Sequence, residues 1–362
     1  MLSKDLVIIG GGPAGLCAAI NAANAGVSSL IIDRNPMLGG QLIKQTHMFF
    51  GSEKQYAKTR GIDIAKRLIK EVEENPLIEV WKNSTVVGLY SDKVITVLKE
   101  EEYLKIQTKA IVVATGASEK SLAFENNDLP GIYGAGAVQT LMNVYGVKPG
   151  NKILMVGSGN IGLIVSYQLM QAGVKVLGVI EAAGNIGGFK VHASKLRRYG
   201  VPIYTNTTIK RAIGKDKVEQ VETVKLNDKW EMIAGSEEIF DVDALCIAVG
   251  LTPMTSLLSM IECDMKYVSE LGGLVPVLSG DNETSIPGIF ACGDASSVEE
   301  ASSAIVEGKL VGLVASKYLG GIHPDYEKLK QEYLADLDNL RSGPFGEKIR
   351  VGYQKLGGPN HA

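Results

Sequence analysis

Two stretches of this chain spell the same βαβ unit, and a unit repeated this closely leaves few folds open. The first, DLVIIGGGPAGLCAAINAANAGVSSLIID (5–33), runs a short apolar strand, Leu6 to Ile9, into Gly10, Gly12 and Gly15. A helical stretch from Ala14 to Ala25 follows, Gly26 ends it, and Leu30 to Ile32 form a second strand closed by Asp33. Each glycine has a physical purpose. Gly10 permits the tight turn, Gly12 admits a pyrophosphate close to the backbone, and Gly15 lets helix and strand pack. The helix N-terminus offers its positive dipole end to phosphate, and Asp33 is placed to accept hydrogen bonds from a ribose. The second stretch, KILMVGSGNIGLIVSYQLMQAGVKVLGVIE (152–181), repeats the order with Gly157, Gly159, Gly162, Gly173 and Glu181. An acid at 181 suits a free 2′-hydroxyl and repels a 2′-phosphate, and no Arg follows in the next ten residues. NAD(H) is therefore expected over NADP(H). The alternative for this second unit is an inert repeat of the fold.

Three further segments fit the same scheme. KAIVVATGASEK (109–120) and DALCIAVGLTP (243–253) each run an apolar strand into a small-residue turn. There Thr115–Gly116 and Val249–Gly250 would let backbone pass close to a cofactor. IPGIFACGDASSVEEASSAIVEGKLVG (286–312) is a strand, Gly293–Asp294, and an Ala/Ser-rich helix. An acid at such a strand end can bond the ribityl hydroxyls of a flavin, and the amides of the next helix suit the electron-rich pyrimidine edge of its ring. The expected fold is α/β, with two Rossmann-like dinucleotide-binding domains.

Bulk properties narrow the choice of function. A chain of 362 residues suits two domains of ordinary size. A net charge of −3 gives no electrostatic case for nucleic acid. No apolar run of 18 residues appears and a strand starts at Asp5, so neither membrane insertion nor a signal peptide is expected. The four cysteines, Cys17, Cys246, Cys263 and Cys292, form no CxxC and no metal-ligand spacing. A reducing, cytoplasmic setting without a metal site is expected.

The motifs GGGPAG, GGQ (39–41), ATG (114–116), GSGNIG and GDA (293–295) stand in the order of a flavoprotein superfamily with two dinucleotide domains. The chain resembles that superfamily, which includes thioredoxin reductase, glutathione reductase and NADH oxidases, over about residues 5–321. The resemblance implies an FAD domain at 1–116 and 280–321, an NAD(H) domain at 117–250, a connector at 251–279, and a C-terminal helix and tail at 322–362. It implies FAD contacts from Gly10, Gly12, Pro13, Ala14, Gly15, Asp33, Arg34, Gly40, Gln41, Val87, Ala114, Thr115, Gly116, Gly293, Asp294, Ala301 and Ser302. The NAD contacts it implies are Gly157, Gly159, Asn160, Ile161, Gly162, Glu181 and Gly250. In thioredoxin reductase a redox-active CxxC lies shortly before the second fingerprint; in glutathione reductase-like members it follows the first βαβ unit. Here those places read LPGIYGAGAVQTLMN (129–143) and MLGGQLIKQTHMFFG (37–51), without cysteine. A dithiol relay is excluded.

GGQLIKQTHMFFG (39–51) and GDASSVEEASSAIVEGK (293–309) are similar to the FAD-dependent α subunits of heteromeric amine and amino-acid dehydrogenases. That group includes opine oxidase, hydrogen cyanide synthase, proline and hydroxyproline dehydrogenases and part of the sarcosine oxidase α subunit. It implies electrons passing between flavin, nicotinamide and a partner, with a small iron–sulfur protein and a β-type flavoprotein dehydrogenase subunit completing a hetero-oligomer. The chain departs from the group in lacking a C-terminal cysteine-rich domain and in keeping its second fingerprint intact. A stand-alone NADH oxidase or diaphorase, passing electrons to O₂, a quinone or a ferredoxin-like partner, is the alternative. A non-catalytic nucleotide-binding scaffold is a third reading.

Catalytic residues are not evident, and Lys44 and His47 are weak candidates. His47 lies in KQTHMFFG near the expected flavin, with an ordinary pKa suited to proton transfer; a structural histidine is the alternative. Lys44 and Gln41 are better placed to donate to the ring. Phe49 and Phe50 read as core or interface, and Cys292 as inert core. In the tail, Leu329, Tyr333, Leu337 and Leu340 recur at helical spacing. After Gly343–Pro344 the chain reads as a basic extended arm. Two roles are open for this tail, docking to a partner protein and packing on the parent domain.

Overall fold

A computed structural model describes residues 1–357. The chain divides into two compact units, one from Met1–Ile43, Met48–Ser118 and Thr252 onward, the other from Lys44–His47 and Glu119–Leu251.

The first unit opens with β1 (Leu2–Ile9), α1 (Pro13–Asn24), β2 (Ser29–Ile32), α2 (Gly61–Glu73) and β3 (Ile78–Trp81). It continues through β4 (Ser84–Leu89), β5 (Val94–Lys99) and β6 (Glu102–Val113). The sheet runs β3-β2-β1-β6-β5-β4. Its left half is parallel, with Ile8 opposite Ile31 on one side and Val112 on the other. Strands buried on both faces need no alternation, which is why Leu6 to Ile9 and Leu30 to Ile32 read as unbroken apolar runs. α2 shows the helical counterpart, with Ile64, Ala65, Leu68 and Val72 buried on one face.

The second unit holds β7 (Ile132–Gly134), α3 (Ala135–Asn143), β8 (Lys152–Val156), α4 (Asn160–Gln171), β9 (Lys175–Ile180), α5 (Lys190–Arg198) and β10 (Ile203–Tyr204). An antiparallel sheet follows, β11 (Thr207–Ile213), β12 (Gln220–Lys225) and β13 (Glu238–Asp241), and then β14 (Ala244–Ile247). β10-β9-β8-β14-β7 is wholly parallel. The four-residue excursion Lys44–His47 is held in this unit: Asn143 Nδ2 donates to the Lys44 carbonyl at 2.7 Å and Gln168 Nε2 to Thr46 Oγ1 at 2.8 Å.

Back in the first unit come α6 (Ser256–Met260), β15 (Met265–Val268), β16 (Gly273–Pro276) and β17 (Ile289–Ala291). α7 (Ala301–Tyr318), α8 (Tyr326–Leu340) and α9 (Gly343–Leu356) complete it. β17 joins the sheet beside β6, parallel, with Phe290 opposite Val112. The stretch read as a connector packs within this unit: Leu257, Leu258, Ile261 and Cys263 share a core with Val7, Ile9 and Ile111. α7 lies against α1 at backbone contact, because Gly308 and Gly312 have no side chain. A Cβ on either would meet the Ala14 or Ala18 carbonyl at 2.2 Å.

α8 places Tyr333, Leu334, Leu337 and Leu340 against the core that α1 and α7 share. The extended arm expected after Gly343–Pro344 is instead α9, packed by Ile349, Tyr353 and Leu356 on Val268, Leu271 and Val275. Proline at the first helical positions costs no hydrogen bond, and its fixed φ suits a helix start. Residues 358–362 of the expected tail lie outside the described residues.

Candidate functional site

At the first fingerprint, two of the three glycines are demanded by the protein's own backbone. Gly10 has φ +110°, and a Cβ there would lie 2.2 Å from the Ala114 carbonyl oxygen; one on Gly15 would lie 1.9 Å from the Gly10 oxygen. Gly12 is different. Its backbone is extended (φ −79°, ψ −175°), which any residue adopts, and a Cβ would come no closer than 3.9 Å to any protein atom, Gly40 Cα. The fold does not need glycine at 12, and the open side of the turn lies at α1's N-terminus, whose amides no side chain caps. The space fits a pyrophosphate.

The other expected residues gather around this turn. Asp33, buried, accepts from Gly11 N at 2.7 Å, Asn35 N at 2.7 Å and Asn35 Nδ2 at 3.0 Å. Gly39 N donates to the Gly11 carbonyl, and Gly40 stacks on Gly12, where a Cβ would meet Gly12 Cα at 2.9 Å. Ala14 faces Gly293, whose added Cβ would sit 2.8 Å from Ala14 Cβ. Ala114 N donates to the Ile9 carbonyl, and Thr115 Oγ1 to the Met254 carbonyl at 2.7 Å. Gly116 takes φ +77°. Arg34 and Gln41 are exposed, and Val87 is the exposed bulge residue of β4. Pro13 occupies the helix's first turn. Ala301 and Ser302 open α7, which has no side-chain cap. Asp294 follows Gly293, and burial pushes its carboxyl up to about 7.

The second fingerprint copies the first contact by contact. Gly157 (φ +97°) would clash with the Ala248 carbonyl at 2.3 Å and Gly162 with that of Gly157 at 2.1 Å, while nothing lies within 4 Å of a Cβ on Gly159. Glu181 accepts from Ser158 N at 2.9 Å, Ser158 Oγ at 2.6 Å and Ala183 N at 3.0 Å, as Asp33 accepts from the backbone of residues 11 and 35. Asn160 opens α4 and its Oδ1 accepts from Phe189 N at 2.8 Å; Ile161 beside it is exposed. Gly250, at φ +115°, accepts from Lys120 N. A glycine that the protein itself does not require, twice at the same register, points to two bound dinucleotides.

Lys44 and His47 both belong to the second unit. Lys44 Nζ donates to the Gly136 carbonyl at 3.0 Å and lies 3.5 Å from Thr140 Oγ1, on the first turn of α3. His47 is driven down to about 4 by burial, with His192 and Lys195 adding to the effect, so it is neutral and a poor acid at neutral pH. The stretch 129–143, where the resemblance to thioredoxin reductase implies thiols, holds β7 and α3. The N-terminus of α3 is held by a carboxylate, with Glu119 Oε1 accepting from Gly136 N at 2.6 Å and Oε2 from Ala137 N at 3.3 Å. All four cysteines are free and buried. Burial lifts Cys17 to about 12 and Cys263 to about 11, out of the range of a reactive thiolate.

The sequence reading missed one group. Glu307, inside the Ala/Ser-rich α7, accepts from Gly293 N at 2.7 Å and Ser296 Oγ at 3.0 Å, and pairs with Arg341 at 2.5 Å. An acid in the middle of an otherwise small and apolar helix was the available signal.

Two Rossmann-type units, two dinucleotide turns and no reactive thiol define a nucleotide-dependent flavin oxidoreductase. The chain belongs to the pyridine nucleotide-disulphide oxidoreductase family, whose model matches residues 4–308. It is 26% identical over 335 residues to an opine oxidase subunit from Agrobacterium tumefaciens, covering 86% of this chain and 65% of that protein. It is equally 26% identical to the hydrogen cyanide synthase subunit HcnB of Pseudomonas protegens, covering 86% of this chain and 70% of the relative. In fold it matches thioredoxin reductase from T. acidophilum with a TM-score of 0.71 and 21% identity, covering 88% of this chain and 99% of that one. The chain thus spans just under two thirds of the opine oxidase subunit's length. FAD and a nicotinamide nucleotide are the family's cofactors. Among the described residues no helix is long and apolar enough to cross a membrane.

Proposed function

We propose that the first unit holds FAD and the second NAD(H), and that the chain is the electron-transferring, α-type subunit of a multi-subunit amino-acid or amine dehydrogenase. FAD supplies a centre that takes two electrons as hydride and can release them singly. The protein's part is to hold it. Gly12 and the first turn of α1 leave room for the pyrophosphate, Asp33 meets the adenosine ribose, and Gly293–Asp294 and the start of α7 face the ring and its ribityl chain. In the second unit Gly159, Asn160 and Ile161 meet the nicotinamide dinucleotide's phosphates and Glu181 its ribose.

The observation that carries the subunit reading is the α3 N-terminus. A thiol-relay enzyme needs two cysteines within exchange distance, and this helix start presents Glu119 and Lys44 instead. Electrons therefore leave by a route other than a dithiol. The two relatives are themselves named as subunits, which supports a protein partner as the destination. The partner expected is a β-type flavoprotein that oxidises the substrate, with a small iron–sulfur protein. Expression from the native operon, affinity purification and mass spectrometry test this. Recovery of a D-amino-acid-oxidase-like chain supports the reading. A lone chain with fast NADH-dependent O₂ consumption replaces it with a self-sufficient NADH oxidase.

A further inference from the structure

Behind the Gly293–Asp294 turn lies a buried ionic cluster that the dinucleotide motifs do not require. Arg341, at the C-terminal end of α8, is 3% exposed and Glu307 is 2% exposed. The guanidinium makes a two-point contact with Glu299, Nε to Oε2 at 3.1 Å and Nη2 to Oε1 at 2.8 Å, and reaches Glu307 Oε1 at 2.5 Å. Both carboxylates in turn hold the turn. The second oxygen of Glu307 takes Gly293 N–H and Ser296 Oγ–H, Glu299 N–H lies 3.4 Å from Asp294 Oδ1, and Ser297 Oγ donates to Glu299 Oε1 at 2.8 Å. Tyr353 of α9 closes the cluster, its hydroxyl 3.0 Å from Arg341 Nη2 and 2.9 Å from Ser297 Oγ, with its ring under the guanidinium.

Glu299 precedes α7 and Glu307 lies inside it, so one guanidinium grips the 293–300 span from both sides. Without it two carboxylates would share a dry space with no cation, which forces protonation or rearrangement. An ammonium would keep the charge but cannot present three donors in a plane to two carboxylates. We propose that Arg341 is a positioning residue for the flavin pocket: from the C-terminal helices it fixes the turn that meets the flavin, and so sets how tightly and at what potential the flavin is held. The proposal rests on the assignment of Gly293–Asp294 to FAD made above.

Its test uses the full chain with Arg341→Lys, Arg341→Met, and Arg341→Met combined with Glu307→Gln. Three quantities are measured: thermal midpoint, FAD dissociation constant by titrating the flavin-stripped protein, and flavin midpoint potential by dye equilibration. In the double variant the amide oxygen still accepts from Gly293 N–H and one unpaired charge is gone. It is expected to recover the thermal midpoint that Arg341→Met loses, yet to bind FAD about tenfold more weakly than the parent, with a shifted potential. Arg341→Lys, the milder change, falls between parent and double variant in both flavin readouts, and it decides the matter if Arg341→Met does not fold. Parent-like FAD affinity and potential in the double or the Lys variant overturn the proposal and leave Arg341 a purely structural ion pair. A parent chain that binds no FAD instead defeats the flavin assignment beneath it.

Discussion

At the residue scale the two fingerprints separate what the fold needs from what a ligand needs. Gly15→Ala places a methyl 1.9 Å from the Gly10 oxygen and is expected to cost about 1–3 kcal/mol of stability. The methyl of Gly12→Ala comes no closer than 3.9 Å to its neighbours, so compared flavin-free the variant should match the parent's unfolding free energy to about 0.5 kcal/mol, while FAD binding is lost. Purified Gly12→Ala with a parent-like ratio of flavin to protein absorbance would refute the site. The same logic runs through Glu181, whose carboxylate is held in place by Ser158 and Ala183. The parent should reduce its flavin about tenfold or more faster with NADH than NADPH, since a 2′-phosphate would face a fixed like charge. Glu181→Gln, which removes the charge and keeps one oxygen able to accept from Ser158, should narrow the gap; equal rates in the parent protein defeat the argument. His47 has a structural consequence. Its pKa is near 6.5 unfolded and about 4 folded, so the unfolded chain binds the proton first as pH falls. The stability it contributes is complete above about pH 6.5 and is lost as pH drops toward 4, amounting to about 2 kcal/mol by pH 5. His192 shifts in the same direction and leaves a smaller slope of its own. Urea midpoints at about pH 7.5 and pH 5 should therefore converge, though not coincide, in His47→Gln.

Elements differ in how plainly they can be read in a sequence. The βαβ units were legible because their constraints are local: a strand, three glycines and a helix lie within a few residues, and the clashes that demand Gly10 and Gly15 fall inside the unit or on the next strand over. Even the acid that closes each unit is tied to the turn 22 or 23 positions earlier in the chain by a backbone amide. α9 was not legible, because Gly343–Pro344 reads as a break, and only Ser342 at the cap and the apolar repeat 349, 353, 356 speak for a helix. Nor was the Arg341–Glu307 pair, whose partners are 34 positions apart and recognisable only once α7 and α8 pack together. Lys44 and His47 show another limit of reading along the chain. They lie close in sequence to the GGQ turn, but the chain leaves the first unit at Ile43 and returns at Met48. Because α9 packs on the first unit's own β15 and β16 region, Leu356→Ala should cost about 2–3 kcal/mol in thermal or urea unfolding of the chain alone. An unchanged midpoint would return the tail to the role of a partner-docking arm.

For the whole molecule the question is where the electrons go, and the answer proposed here depends on chemistry the chain lacks as much as on chemistry it has. The isolated protein should reduce an artificial dye with NADH, because a hydride donor site and a flavin site suffice for that. It should show no disulfide reductase activity. Every cysteine is buried, burial holds each thiol in its protonated form, and none is paired with a resolving thiol. Amino-acid oxidation by the chain alone should also be negligible. That reaction needs a pocket presenting the substrate's α-carbon to a flavin, with its carboxylate held in a bidentate fork, typically an arginine's. The flavin-side stretches 39–51 and 293–309 contain no arginine. The lysine in the first of them is engaged on α3. Arg341, which does reach the Gly293 turn, has its guanidinium committed to Glu299 and Glu307 and is almost fully buried. Dehydrogenase activity is therefore expected to rise from background only when a β-type flavoprotein is added, and to couple then to NAD⁺ or dye reduction through this chain. Stopped-flow assays with proline, sarcosine and other secondary amines, run with and without the partner, check this directly. Rapid flavin reduction by any of them in the isolated chain would make it a single-chain dehydrogenase and end the subunit reading.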